Sequence, residues 1–265
     1  MSNTDNDLFA DAARQVLADQ CTPNVVRAIE EHGNAAPETA ALWEQLEATG
    51  LADAMLPEEQ GGASLGLGAV FGVLEQCGAH ALPLPLADTM LARAMLAATS
   101  IDKPEGRIVL ARGVRVGDNV NAALVRNARV AQSVLLEVDG ECRLLSLNGA
   151  QLTPQALALD AGVQWTAAQW QAAPVVPSTT DLRTAQAAVV AAQMAGALKS
   201  VFDRTLQYAN ERQQFGRPIG KFQAIQHQLA VMSEHVFAAR MAAQLGCSGD
   251  GAAPDRLRVA TAKAR

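Results

Sequence analysis

The sequence predicts a mainly α-helical protein in three parts: an N-terminal helical domain at 1–100, a small β domain at 104–172, and an antiparallel helical bundle at 178–265. Apolar residues recur at helical spacing in the two outer parts, whereas short runs rich in valine and leucine, bounded by turn residues, fill the middle. With 49% hydrophobic and only 18% charged residues, the composition also favours closely packed helices.

Apolar spacing and turn residues mark the helices of the N-terminal part. Residues three or four apart predict a helix around Leu8–Leu17 and another that ends before the turn glycine Gly50. The pair Gly61-Gly62 then predicts a tight backbone path. Two further helices are expected at about 69–77 and 87–98.

The middle part is predicted to form a small β domain. Strands are expected at 107–111, 121–125, 133–138 and 141–147, and 163–165 is a further candidate. Between the third and fourth strands, Asp139-Gly140 is typical of a two-residue type I′ hairpin turn.

One long helix opens the C-terminal part. Ser178 or Thr180 is the expected cap, Asp181 lies in the first turn, and the helix runs for about 30 residues to Arg212. Glycines and a proline at 216–220 stop it. The next helix is expected to bury an apolar stripe and to close between Gly246 and Gly251; the stripe is Ile225, Leu229, Met232 and Val236.

A third bundle helix is expected to begin at Pro254, which suits the first helical position. Its pattern is still running at Arg265, where no capping residue follows. Three antiparallel helices are one short of a four-helix layer. The sequence therefore predicts an incomplete bundle, with a helix that frays at its terminus as the alternative.

Charge and cysteine usage exclude some classes of function. The net charge of −6 argues against a nucleic-acid partner, and no apolar run reaches the roughly 18–20 residues needed to span a bilayer. Four cysteines are scattered without a C-x-x-C pair, so reduced thiols and a cytoplasmic location are expected. His227 and His235 are eight residues apart on one helix, too far for a shared metal.

The segment Tyr208–Met232 carries the most specific pattern, Y-x3-R-x-x-F-G-x-P-I-x-x-F-Q-x-I-x3-L-A-x-M. It resembles the acyl-CoA dehydrogenase family, in which this stretch joins two long helices of the C-terminal bundle and touches FAD. Leu56-Pro-Glu-Glu-Gln-Gly-Gly62 is similar to a second motif of that family, and the α–β–α order agrees. The family's T/S-E-P and G-S-D flavin signature has no counterpart in the middle part, although Trp165 and Trp170 lie nearby.

The resemblance implies four cofactor-binding residues. Arg212, Gln214 and Gln223 would hold the diphosphate and adenosine part of FAD, often in a neighbouring subunit, and Phe215 would pack against the cofactor. A guanidinium at a helix end suits this role because it can pair bidentately with a pyrophosphate. The alternative interpretation is structural: Arg212 binds its own helix carbonyls and Phe215 plugs the bundle.

The reaction implied by the resemblance removes two hydrogens from an acyl-CoA thioester, and a glutamate takes the α-proton. The family places this base either in a loop after a fourth bundle helix, which this sequence does not contain, or ten residues before the glycine that matches Gly196. The second position is Gln186, whose amide cannot act as the base. We find no catalytic base in the sequence.

Two functions follow, and both predict an oligomer. One is an FAD-dependent acyl-CoA dehydrogenase that is incomplete as given, with electron-transfer flavoprotein as a possible acceptor. The other is a non-catalytic subunit that pairs with a full-length dehydrogenase and contributes FAD contacts across the interface. A hydrolase using Ser64 in Gly62-Ala-Ser-Leu-Gly66 is disfavoured, because a nucleophile elbow needs a preceding strand.

Overall fold

The computed structural model describes residues 3–99, 101–177 and 181–248. Five helices form the N-terminal region: α1 Asn3–Gln20, α2 Pro23–His32, α3 Pro37–Ala48, α4 Phe71–Ala79 and α5 Leu86–Ala97. Four of them were predicted. The short helix α2 was not, although Thr22 caps it and Pro23 opens it, as helix starts often do.

The middle region contains two sheets. The first has the order β1-β4-β5, with β1 (Ile108–Arg112) parallel to β4 (Ser133–Val138) and β4 antiparallel to β5 (Glu141–Ser146). The second has the order β2-β3-β7-β6 and is antiparallel throughout; its strands are β2 Val114–Val116, β3 Asn119–Val125, β6 Gln151–Pro154 and β7 Ala161–Trp165. A short helix, α6 (Ala167–Ala172), follows β7.

The five predicted strands are present. Strands β2 and β6 and helix α6 were not predicted. Every residue of β2 and of β6 is exposed, so neither strand shows the alternation that identifies a half-buried strand in sequence. The predicted hairpin is confirmed: Asp139 and Gly140 have φ of 52° and 83° and join paired residues Val138 and Glu141.

Two long helices complete the described fold. Helix α7 (Leu182–Glu211) has 30 residues, as predicted, and α8 (Gln223–Cys247) returns along it. The thiol of Cys247, at the end of α8, lies 3.6 Å from the carbonyl oxygen of Ala188 near the start of α7. Between the helices, β8 (Gln213–Gln214) and β9 (Arg217–Pro218) form a small hairpin.

Two details of the bundle differ from prediction. Asp181 is the N-cap residue of α7 rather than part of its first turn: its carboxylate accepts from the backbone N–H groups of Arg183 and Thr184. Ser178, Thr180 and the predicted third helix from Pro254 lie outside the described residues. The apolar stripe of α8 is half-buried rather than buried, because α7 is the main described element against which α8 packs.

Helix α7 lies in the centre of the fold. It crosses α4 closely: a Cβ on Gly78 would lie 1.7 Å from the Gln193 carbonyl oxygen, and one on Gly196 would lie 1.8 Å from that of Glu75. One apolar core joins the N-terminal helices to α7, and a second fills the space between the sheets. By length and composition α7 is also apolar enough to cross a membrane, a test that core helices pass as well.

Candidate functional site

A hairpin between the two long helices carries the predicted cofactor residues. Helix α7 ends at Glu211, Arg212 continues in extended conformation, and Gln213 and Gln214 pair with Pro218 and Arg217. The carbonyl oxygen of Arg212 accepts from the N–H of Ile219 at 2.8 Å, which closes the base of the hairpin. We call residues 212–222 the inter-helix hairpin; Gln223 follows it as the first residue of α8.

Phe215 stands at the tip of the inter-helix hairpin and is 93% exposed. It has a φ of 52°, in the left-handed region that side chains other than glycine rarely adopt, and Gly216 follows at 75°. Phe215 therefore does not plug the bundle, and that structural interpretation is wrong. A large apolar side chain held in a strained, exposed position is instead typical of a functional contact.

The polar members of the site also face solvent. Arg212, Gln214 and Gln223 are all exposed. Within the described ranges, the Arg212 guanidinium makes no hydrogen bond or ion pair, so it does not bind the carbonyls of its own helix as the structural alternative required. Its position at the C-terminal end of a 30-residue helix favours a cation, and its five N–H donors remain available.

Phe222 contacts two residues of the inter-helix hairpin. Its ring lies edge-on to that of Phe215, with centroids 6.2 Å apart, and the Arg217 guanidinium lies over its face at 4.3 Å. This aromatic and cationic stack fixes the hairpin relative to the start of α8.

These side chains fit a dinucleotide such as FAD. The Arg212 guanidinium, which has no partner among the described residues, matches the planar, bidentate geometry that a diphosphate accepts. The two glutamine amides can both donate and accept. The exposed Phe215 ring offers an apolar face for an aromatic or sugar group. All of these groups are exposed, so the cofactor would bind to them at the surface of the chain.

A separate cavity of about 550 Å³ lies along α7, at its junction with α8 and the end of β3. The described residues that line it include Gln186 and two arginines, Arg126 and Arg183, among mainly alanine, valine, leucine and methionine side chains. None of these described lining residues is a carboxylate. The Gln186 amide donates to the Leu110 carbonyl oxygen of β1 at 2.5 Å and so ties α7 to the middle region.

Sequence reasoning did not find Arg126, which lines this cavity, or the buried Asp88, whose carboxyl lies within the electrostatic influence of Arg126. Burial raises the pKa of the Asp88 carboxyl, while Arg126 and the Leu110 N–H, which donates to Asp88 at 3.3 Å, oppose that rise. Arg126 also reaches the Gln193 side chain at 3.5 Å. The sequence did contain one sign of this buried carboxylate: Asp88 lies within the otherwise apolar start of α5.

Models of known families match most of the chain. The acyl-CoA dehydrogenase N-terminal domain matches residues 3–103, and the acyl-CoA dehydrogenase C-terminal domain matches residues 183–265. Acyl-CoA dehydrogenase IpdE2 of Mycolicibacterium smegmatis is 31% identical over 238 residues, which are 89% of this chain and 74% of the relative. The protein of that name from Mycobacterium tuberculosis is 30% identical over 97% of this chain and 78% of the relative.

The chain belongs to the acyl-CoA dehydrogenase family. A solved structure described as a variant of the Tcur3481-Tcur3483 steroid ACAD covers 98% of this chain and 82% of its own, with a TM-score of 0.79 and 26% identity. The ChsE4-ChsE5 complex from Mycobacterium tuberculosis has the same TM-score at 23% identity, covering 99% of this chain and 83% of its own. The predicted resemblance and fold class are confirmed.

The described residues do not favour the other chemistries considered from the sequence. Ser64 follows a 3₁₀ turn rather than a strand, and its hydroxyl accepts from the Glu58 N–H at 3.2 Å, so it is a turn residue. Across the residues that the structure describes, no group of three or more histidine, cysteine or acidic side chains could hold a metal. All four cysteines are free and buried.

Proposed function

We propose that this chain is a subunit of an FAD-dependent acyl-CoA dehydrogenase and lends its inter-helix hairpin to a flavin site completed by a second subunit. One observation carries the proposal: the cofactor-type side chains face outward, while the position that can hold the family's base contains Gln186. The amide of Gln186 is committed to the Leu110 carbonyl. The catalytic carboxylate therefore comes from elsewhere in the assembly.

In this proposal the residues of this chain bind and orient the FAD cofactor. Arg212 pairs with the diphosphate, Gln214 and Gln223 donate and accept hydrogen bonds at the adenosine part, and Phe215 excludes water from an apolar face of the cofactor. Bound FAD would supply the acceptor for the hydride that leaves the β-carbon of the acyl-CoA. The α-proton needs a base within hydrogen-bond reach, which the partner would provide.

The substrate is proposed to be the thioester of a steroid-derived acyl-CoA. The support is the likeness, at 26% identity, to a structure described as a steroid ACAD. An apolar cavity with a few polar groups suits a bulky hydrocarbon body. Electron-transfer flavoprotein remains the proposed acceptor and the cytoplasm the proposed location.

A self-sufficient dehydrogenase is the second candidate. It is favoured by the two relatives named acyl-CoA dehydrogenase that align with 89% and 97% of this chain. In that case a second copy of this chain would receive the hairpin, and the base would come from outside the described residues.

Purification of the full chain alone, and together with full-length acyl-CoA dehydrogenases encoded in the same genome, tests the proposal. We expect no bleaching of flavin absorbance by acyl-CoA thioesters with the chain alone, and bleaching with one complex. The FAD content of that complex should fall when Arg212→Ala is introduced in this chain. Bleaching by the chain alone, no FAD-containing complex with any of these dehydrogenases, or unchanged FAD content in the variant complex would overturn the proposal.

A further inference from the structure

Strand alternation places a second arginine on the cofactor-binding face of the inter-helix hairpin. Side chains of paired residues lie on the same side of a ladder, and successive side chains on opposite sides. Arg212 and Gln214 therefore share one face, and Arg217, the partner of Gln214, lies on that face too. Gln213 and Pro218 occupy the other.

The Arg217 guanidinium is available to bind a ligand. Arg217 is exposed, and among the described residues its side chain makes no ion pair and no hydrogen bond. It lies over the Phe222 ring at 4.3 Å. Stacking on an aromatic face holds a guanidinium in place while leaving its N–H edge free to donate, which an ammonium group cannot do in the same way.

The local charge also points to an anion. The segment 212–223 contains three cations and no acidic residue, in a chain whose net charge is −6. The nearest carboxylate in sequence, Glu211, accepts from the Gln207 amide at 2.7 Å, one turn back on α7. Two guanidiniums on one face therefore remain without a counter-charge from the hairpin.

We propose that Arg217 is a second diphosphate-binding residue, which pairs with one phosphate of the dinucleotide while Arg212 pairs with the other. The inference rests on the proposed function, since it needs the hairpin to meet FAD. A diphosphate bridging two phosphoesters carries one negative charge on each phosphate, so two cations match it. The Phe222 ring sets the height at which the second guanidinium meets the ligand.

Equilibrium titration with FAD of the full-length protein, purified with its partner subunit and stripped of flavin, tests this role. Arg217→Gln should weaken FAD binding roughly tenfold, the loss of one charge-assisted contact. Arg217→Lys should recover part of that loss because it keeps the charge. Neither change should move the melting temperature by more than about 2 °C, since the side chain is exposed.

Arg204→Gln is the matched control: it removes an exposed arginine of α7 eight residues before Arg212, roughly 12 Å along the helix and beyond the Debye length at physiological salt. It should bind FAD like the unaltered protein. If Arg204→Gln weakens binding as much as Arg217→Gln, or if Arg217→Gln binds normally while Arg212→Ala does not, this inference fails and the proposed function stands. If neither Arg212→Ala nor Arg217→Gln weakens binding, the proposed function fails with it.

Discussion

The backbone at Phe215 has the same φ, 52°, as the backbone at Asp139, although the two side chains differ greatly. Each residue is the first of a two-residue hairpin turn, and each is followed by a glycine at positive φ. Aspartate is common in such turns, whereas phenylalanine lacks the short polar group that eases this conformation. The turn therefore does not explain a phenylalanine at position 215, which agrees with the contact proposed for it.

Phe215→Gly should separate stability from cofactor binding. Glycine adopts positive φ without strain, but the edge-on contact with Phe222 is lost. Because these effects oppose each other, the free energy of unfolding should change by less than about 1 kcal/mol. FAD binding by the assembly should weaken because the aromatic face is lost. Urea unfolding and FAD titration measure the two effects.

Asp139→Gly is the control, because it relieves the same turn geometry in the β domain. It should leave FAD binding unchanged. Equal FAD affinity for Phe215→Gly and the unaltered protein would remove Phe215 from the site.

Gln186→Glu should destabilise the chain rather than restore a base. The amide N–H now donates to the Leu110 carbonyl oxygen, and a carboxylate there would face that oxygen with no donor. We expect a loss of about 1–3 kcal/mol in urea unfolding at pH 7. Gln193→Glu on the same helix is the control and should not destabilise the chain in this way, because the side-chain oxygen of Gln193 already accepts from Arg126. A Gln186→Glu protein as stable as the unaltered one would contradict this assignment.

At the scale of elements, the crossing of α4 and α7 depends on the absence of two side chains. A Cβ on Gly196 would overlap the Glu75 carbonyl oxygen, a backbone atom that cannot move without shifting α4. Gly196→Ala should cost about 3 kcal/mol or more despite the better helix propensity of alanine. Ala197→Ser, on the exposed side of α7, should cost about 0.5 kcal/mol. Similar melting temperatures for the two variants would contradict the close packing.

An ion pair between Glu75 and Arg240 joins α4 to α8. Arg240 donates to both carboxylate oxygens of Glu75, at 2.5 and 3.1 Å, and its guanidinium lies 5.5 Å from the Phe71 ring centroid. The Glu75 side chain is only 9% exposed, so Arg240→Ala would leave a mostly buried, unpaired charge.

Arg240→Ala should therefore destabilise the chain by about 2 kcal/mol or more, and adding Glu75→Gln should recover part of that loss. A double-mutant cycle in urea unfolding measures the coupling. Strict additivity of the two changes would show that the pair contributes no coupling energy.

The sequence defined the long elements well and the short exposed ones poorly. Helix α7 could be predicted to its last turn because an apolar stripe, an acidic start and a glycine-proline stop all agree. The edge strands β2 and β6 could not, because their residues are exposed and pair only through the backbone.

The site divides in the same way. Arg212, Gln214, Phe215 and Gln223 belong to one continuous motif and could be proposed from sequence as a candidate site. Asp88, Leu110 and Arg126 lie far apart in the sequence, and only the fold brings them together.

At the scale of the whole molecule, the four buried cysteines should lower the free energy of unfolding at alkaline pH. Burial raises the pKa of the Cys21 thiol to about 11 and those of Cys77, Cys142 and Cys247 to about 12, from an ordinary value of 9.0. Well below pH 9 all four are protonated in both states. As the pH rises through 9 the unfolded chain releases protons that the folded chain retains, so stability falls from about pH 8 towards pH 12.

Unfolding free energies between pH 8 and 11 should therefore decline less steeply when the four cysteines are replaced by alanine, although that variant starts less stable. At pH 8 the folded protein should also react slowly with thiol reagents. Rapid labelling of all four thiols without unfolding would contradict their burial.

The central claim is that the inter-helix hairpin meets FAD in an assembled enzyme. Hydrogen–deuterium exchange of the peptide that spans residues 208–224 tests it most directly, measured in the purified assembly with and without FAD. We expect FAD to slow exchange in this peptide. In the Arg212→Ala assembly, FAD should no longer slow it. Exchange at the same rate with and without bound FAD would contradict the claim.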